Sequence, residues 1–248
     1  MIPAMMAKDV PFLTIDEMIE VDRAMIDDYH IDLTRMMENA GRELAHLARE
    51  RFLDGDPRGR RVVVLAGSGG NGGGALVAAR RLRNYGADVA VFITKPGDGF
   101  AGVPGEQLDM VRRMGVTVGA AEAPALAAQP EVVLDGVIGY SLTGAPRGGA
   151  ETLIRWANEQ SAPVLSLDIP SGVDGTTGSV FEPAIRAAAT VTLALPKEGL
   201  RTPEAVANVG ELYLADIGVP PELYSRFLNI DVGPIFATSD VVRLVKEV

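Results

Sequence analysis

Between Arg61 and Tyr85 the chain reads RVVVLAGSGGNGGGALVAARRLRNY. Val62, Val63, Val64 and Leu65 form a continuous apolar run, β-branched in its three valines, the pattern of a strand covered on both faces. Six glycines follow within Gly67–Gly74, with Asn71 as the one amide among them. Leu76, Val77, Ala78, Ala79 and Leu82 then predict a small-residue helix that Gly86 stops. A strand, a glycine turn and a helix in that order build the first unit of a parallel α/β sheet. The turn also presents free backbone N–H groups and the positive end of a helix dipole, which suits a phosphate or another polyanion.

This turn matches neither common nucleotide loop. It has no Gly-Lys-Ser/Thr, and G-x-G-x-x-G is met only loosely, by Gly67, Gly69 and Gly72. The next strand, Asp88–Thr94, runs into Lys95-Pro96 with no carboxylate to take a ribose, which argues against an ordinary NAD-dependent dehydrogenase.

The rest of the chain alternates short apolar strands with helices, so the expected fold is α/β: a three-layer αβα sandwich on a Rossmann-like, mostly parallel sheet. A single domain spanning residues 1–248 accounts for the pattern, with helices in 14–52, a sheet core over about 60–218 and a C-terminal tail. Thr14 and Glu17 predict a capping box for a helix from Ile15 to about Tyr29. A second helix is expected from Asp32 or Thr34 to about Phe52, with Leu33, Met36, Met37, Ala40, Leu44, Leu47 and Ala48 as its apolar stripe. Further helices are expected at Glu106–Met114 and 149–160, the latter placing Trp156 in the core. Strands are expected at Val116–Val118, Val132–Leu134, Pro163–Leu167, Ala189–Ala194 and Gly210–Ala215, with an Ala/Pro linker before the second of these. A short C-terminal helix capped by Ser239 is expected at the end.

A net charge of −10 disfavours nucleic acid and anionic membranes as partners, because their affinity rests on Lys and Arg. With no cysteine, thiol catalysis and thiolate metal sites are excluded. No run has the length of a transmembrane helix, and MIPAMMAKDVPF lacks the layout of a signal peptide, so the cytoplasm is the expected compartment. His30 and His46 stand apart from any other ligand type.

In an open parallel sheet, ligands bind at the carboxyl ends of the strands. Four strands end in polar turns: Gly67–Gly74, Asp135–Gly149, Asp168–Asp174 and Pro196–Gly199. Together these predict Asn71, Asp135, Asp168, Ser171 and Lys197 near one crevice. The amide, carboxylate, hydroxyl and carbonyl oxygens there are hard donors, suited to an alkali or alkaline-earth cation.

Six segments carry a resemblance: MMENAGRELA (Met36–Ala45), VVLAGSGGNGGGALVAARRL (Val63–Leu82), LDGVIGYSLTGAPRG (Leu134–Gly148), LDIPSGVDGTTG (Leu167–Gly178), TVTLALPKEGL (Thr190–Leu200) and VGELYLADIGVP (Val209–Pro220). In this order they resemble the NAD(P)H-hydrate epimerase family, also called the YjeF N-terminal domain, from about Leu13 to about Pro220. The resemblance implies an isomerase of nicotinamide nucleotide repair that interconverts the R and S epimers of hydrated NADH and NADPH, so that a separate dehydratase can use the S form. It implies a potassium ion held by Asn71, Asp135 and Ser171, and Asp168 as the acid/base group. Its substrate-binding positions would be Gly70, Asn71, Gly72, Gly73, Gly74, Gly139, Tyr140, Ser141, Leu142, Thr143, Gly144, Ala145 and Asp168. It also implies a homodimer, with the N-terminal helices and Met1, Met5 and Met6 as candidate contacts. The chain departs from the family pattern at Gly70, where an Asn is usual, at Gly74, where an Asp is usual, and at Ala187–Ala189, where an Asp precedes the T-x-T strand. Those departures keep open a divergent or non-catalytic paralogue that binds a nucleotide-like small molecule, or a dimeric scaffold domain.

Overall fold

The computed structural model describes residues 2–122 and 129–246. In chain order the first elements are β1 (Ala4–Met6), α1 (Ile15–Asp27), α2 (Leu33–Phe52), β2 (Arg61–Ala66), α3 (Gly70–Asn84), β3 (Asp88–Ile93), α4 (Gly102–Arg113) and β4 (Thr117–Ala120). They are followed by β5 (Val132–Gly136), α5 (Gly149–Glu159), β6 (Val164–Leu167), β7 (Ala189–Leu193), α6 (Val206–Val209), β8 (Glu211–Ala215), α7 (Pro221–Leu228) and β9 (Val241–Val245). Among the described residues nine strands form one sheet in the order β1-β9-β8-β7-β6-β5-β2-β3-β4. Every pairing is parallel except β8 with β9. The expected α/β class and mostly parallel sheet are what the chain forms.

Alternation along the strands sorts the core. Val62 and Val64 face the layer of α2, α3 and α4, while Val63 and Leu65 face α5 through Leu153 and Ile154. Trp156 is half-buried in that second layer, with its ring 6.5 Å from Phe92. Helices α1 and α7 pack together over Leu214 and Val242, on the side of β8 opposite Tyr213. The capping box forms as expected: Glu17 N–H donates to Thr14 Oγ1 at 3.3 Å and Thr14 N–H to Glu17 Oε2 at 2.7 Å. Such a cap is worth about 0.5–2 kcal/mol.

Three expectations are corrected. The C-terminal segment is a strand, β9, rather than a helix. Ser239 bonds the N–H and C=O of Val241 instead of capping a helical turn, and Val241, Val242 and Leu244 complete the sheet. The N-terminus is also sheet: β1 pairs with β9 in the register Ala4↔Arg243, which leaves Met5 and Met6 half-buried, while Met1 lies outside the described residues. Third, α3 begins inside the glycine run. Gly72 is required there, since a Cβ on it would sit 1.7 Å from the Gly67 carbonyl oxygen. Helix α4 likewise starts at Gly102, earlier than expected. The Ala/Pro linker falls largely on residues 123–128, outside the described residues.

Candidate active site

Strand order reverses between β2 and β5, since the chain leaves β2 toward β3 and β4 and then returns to β5 and onward in the other direction. The loops beyond that switch point diverge and leave a crevice. A cleft of about 980 Å³ lies there, floored by Ser68–Gly72 and walled by Thr94, Lys95 and Val137–Ala150. Its size is that of a site for a sizeable small molecule. At its floor, α3 has no side-chain cap, and its first intrahelical bond is Gly73 N–H to Gly69 O at 3.0 Å. The N–H groups of Gly70, Asn71 and Gly72 therefore have no partner within the helix.

A second chamber of about 80 Å³ adjoins the cleft, and Gly70, Asn71 and Tyr140 line both. At a liquid-water share of about 30 Å³ each it has room for roughly two to three waters, and it opens towards the cleft through the residues they share. Its apolar wall includes Met18, Leu33, Met36, Met37 and Ala40. Its polar side chains are those of Asp22, Asn71, Tyr140, Asp168 and Lys197.

Asp168 follows β6 with φ +66°, a left-handed conformation that Asp tolerates better than most side chains. Its Oδ1 accepts from Lys197 Nζ at 2.5 Å, Leu193 N–H at 3.1 Å and Thr192 Oγ1 at 3.2 Å. No hydrogen bond reaches its Oδ2 among the described residues, which leaves that oxygen for the chamber. Lys197 is 1% exposed and also donates to Leu193 O at 2.9 Å. Backbone pairing of Leu13 with Lys197 docks the start of α1 beside this pair.

Asp135 sits on β5 opposite Ser166 of β6 and is 1% exposed. Its carboxylate accepts from Ser171 Oγ at 2.6 Å, Ser166 Oγ at 2.8 Å, Ser171 N–H at 2.9 Å and Val137 N–H at 3.1 Å. Burial pushes its pKa above the ordinary carboxylate value, and the hydrogen bonds from Ser171, Val137 and Ser166 oppose that push. Among the described residues no cationic side chain forms an ion pair with Asp135. Asn71 donates from Nδ2 to Leu167 O at 2.7 Å, and its Oδ1 faces Gly139, where a Cβ would stand 2.4 Å away.

The structure thus brings Asn71, Asp135, Asp168, Ser171 and Lys197 to one rim. The whole run from Gly139 to Ala145 walls the cleft, as Gly70, Asn71 and Gly72 floor it. Gly73 and Gly74 do not face the cleft. A Cβ on Gly73 would meet Met37 Sδ at 2.3 Å, and one on Gly74 would meet Leu167 Cδ2 at 2.7 Å. His30 is exposed beyond α1, and His46 lies on α2 beside Arg49, and neither lines the cleft or the chamber. Asp22 was not singled out by the sequence. It lies mid-helix, 118 positions from the Tyr140 it contacts, and only its place between buried Val21 and exposed Arg23 hints at a half-buried position.

A doubly wound sheet with a glycine-floored cleft at its switch point defines a small-molecule-binding α/β protein. The family described as YjeF-related protein N-terminus matches residues 33–199, and the chain belongs to that family. It is 43% identical to an NAD(P)H-hydrate epimerase of Dehalogenimonas lykanthroporepellens over 94% of this chain and 92% of that one. It is 36% identical to an NAD(P)H-hydrate epimerase of Truepera radiovictrix over 88% of this chain and 93% of that one. A bifunctional NAD(P)H-hydrate repair enzyme of Salinibacter ruber is 34% identical over 87% of this chain, which spans 42% of that longer protein. The crystal structure of yeast ynu0 shares the fold with a TM-score of 0.78 at 22% identity, covering 95% of this chain and 100% of that one.

Proposed function

We propose that this protein is an NAD(P)H-hydrate epimerase, an isomerase that interconverts the R and S hydrates of NADH and NADPH. The observation that carries the reading is the buried Asp168–Lys197 pair in a small chamber that joins a cleft of about 980 Å³. The N–H groups at the start of α3 suit the diphosphate or ribose part, and the chamber suits the hydrated ring. Carbon 6 of that ring is a hemiaminal carbon. Protonation of its hydroxyl lets the ring nitrogen lone pair expel water, and water returning from the other face gives the second epimer. These proton transfers need a carboxyl group at the ring, and Asp168, whose Oδ2 is free for the chamber, takes part in them. The names of the epimerase relatives support the substrate.

The reading includes a potassium ion held by Asn71, Asp135 and Ser171. A buried carboxylate without a cationic side chain and a set of oxygen donors fit a hard monovalent cation. When bound, the ion would neutralise Asp135 and hold the turns after β2, β5 and β6 together. The reading further takes the protein to act in the cytoplasm as a homodimer, passing the S hydrate to a separate dehydratase. The bifunctional repair enzymes, more than twice as long as this chain, support that pairing. Light scattering at the mass of one chain would remove the dimer.

The test supplies mixed hydrate epimers with an S-specific dehydratase in excess. With the protein added, the R hydrate should be consumed well above its spontaneous rate. An R form left at that rate, with nucleotide binding retained, would establish the non-catalytic binder instead.

A further inference from the structure

The chamber holds a second carboxyl group. Asp22 comes from α1 and shares the chamber with Asp168, Lys197 and Tyr140. Its Oδ2 accepts a 2.8 Å hydrogen bond from the Tyr140 hydroxyl. The position is built: α1 is tied to the Lys197 loop through Leu13, and its first turn to Thr176 through a 2.9 Å bond from Ile15 N–H. Lys197 contacts Asp168, not Asp22. The two carboxyl groups therefore stand in one chamber in opposite surroundings. Asp168 lies 2.5 Å from the Lys197 ammonium group. Asp22 is desolvated, and burial raises its pKa above the ordinary value, with the Tyr140 bond and the Lys197 charge opposing and the Asp168 charge adding. Divided pairs of this kind carry separate acid and base roles.

Resting on the epimerase reading, we infer that Asp22 is a second catalytic acid–base group, which protonates the departing carbon-6 hydroxyl while Asp168 serves the opposite face of the ring. The carbon–oxygen bond breaks with its electron pair on oxygen, which takes the Asp22 proton and leaves as water. The ring nitrogen lone pair forms a carbon–nitrogen double bond. Water then adds from the other face. Its lone pair forms the new carbon–oxygen bond, the double-bond pair returns to nitrogen, and its proton goes to Asp168. The product is the opposite epimer, and the two carboxyl groups have exchanged protonation states, which is the starting state for the reverse reaction. Tyr140 borders both the cleft and the chamber. Burial and the Asp22 and Asp168 charges push its phenol upward, so it stays protonated and can relay a proton between Asp22 and solvent.

The groups facing Asp22 are Tyr140 from the turn after β5, Asp168 after β6, Lys197 after β7 and Tyr224 of α7, while α2 offers apolar Leu33 and Met36. The experiment measures kcat and KM for the R hydrate against pH in the dehydratase-coupled assay. Asp22→Asn should lower kcat by about 10²-fold, leave KM nearly unchanged and abolish the alkaline limb of the kcat profile. Asp22→Glu should restore the limb and part of the rate. Tyr140→Phe should keep the limb but move it to higher pH, since it removes a bond that favours the carboxylate. Wild-type kcat in Asp22→Asn, or a lowered kcat with the alkaline limb intact, would overturn the inference. If Asp22→Asn does not fold, an unmoved limb in Tyr140→Phe overturns it alone. A wild-type chain that leaves the R hydrate at its spontaneous rate removes the epimerase reading itself. An active wild type whose limb survives Asp22→Asn removes only the role of Asp22.

Discussion

Asp135 and Asp168 stand at the ends of neighbouring strands, β5 and β6, and are 1% and 3% exposed. Both accept hydrogen bonds from backbone and hydroxyl groups, but only Asp168 touches a cation, Lys197 at 2.5 Å. A buried carboxylate must be paired, neutralised or bound to an ion. Asp168 is paired within the chain. Its bonds crowd onto Oδ1, so one oxygen stays available for chemistry. Asp135 spreads four donors over both oxygens and has no charge partner among the described residues, which suits a seat for an ion better than a proton carrier. Two similar residues in similar burial are thus divided by what stands beside them.

Replacing each carboxylate should give effects of different kinds. Asp168→Asn should cut the coupled epimerase rate by about 10²–10⁴-fold, the usual worth of one acid/base group, without touching any potassium response. A variant that kept the rate would end the division. Next in size is the ion pair. Lys197→Met leaves the Asp168 carboxylate buried without its ammonium, which should cost about 3–5 kcal/mol in denaturant unfolding. The double variant Asp168→Asn/Lys197→Met should be more stable than Lys197→Met alone. Equal stability would mean that Lys197 matters for packing and not for charge.

Potassium sharpens the other half. In KCl rather than tetramethylammonium chloride at equal ionic strength, the melting temperature should rise, by the equivalent of about 2.7 kcal/mol at a hundredfold excess over Kd. Asp135→Asn should abolish the rise. The pH dependence follows from the direction of its shift. Burial raises Asp135 in the folded chain, so its contribution to stability is fully present below the unfolded value and is lost as pH rises through the folded value. A bound cation favours the carboxylate, so the potassium gain should grow on the alkaline side of that titration and shrink on the acid side. A gain independent of pH, or one surviving Asp135→Asn, would place the ion elsewhere.

Much of this rim was legible because strand-end turns are local. The run Val62–Gly74 specifies strand, turn and helix within a few residues of each other, and the Asp that closes each apolar strand can be read directly. The pairing of Lys197 with Asp168 was not legible, because sheet order brings together residues 29 positions apart. Asp22 was less so, since the Leu13–Lys197 bridge that docks α1 beside the chamber joins distant parts of the chain. At the C-terminus, Ser239 before a Val-rich segment looked like a helix cap. The competing force was an open edge beside β8, which Val241–Val245 covers and β1 then extends. The glycine run misled in a subtler way: its second half looked like ligand loop and is helix packing.

That last point yields the smallest expected effect. Gly74 lies in the first turns of α3, and its side-chain direction points at Leu167 Cδ2, 2.7 Å away, and at Ala40 Cβ, 3.8 Å away. Replacing a helical Gly with Ala should gain about 1 kcal/mol from backbone propensity. Against this, the added methyl must move the end of one Leu side chain, a flexible group rather than backbone. Gly74→Ala should therefore change unfolding free energy by less than about 1 kcal/mol and leave the coupled rate intact. Gly74→Asp tests the departure from the family pattern, because it puts a third carboxyl between Leu167 and Ala40, at the apolar wall of the chamber. With apolar Leu167 and Ala40 as the atoms nearest its Cβ, it should destabilise more than Gly74→Ala, by about 1–3 kcal/mol. A Gly74→Asp variant that instead gained stability or rate would mean that this wall accepts a charge, and that Asp135 and Asp168 do not divide the rim between them.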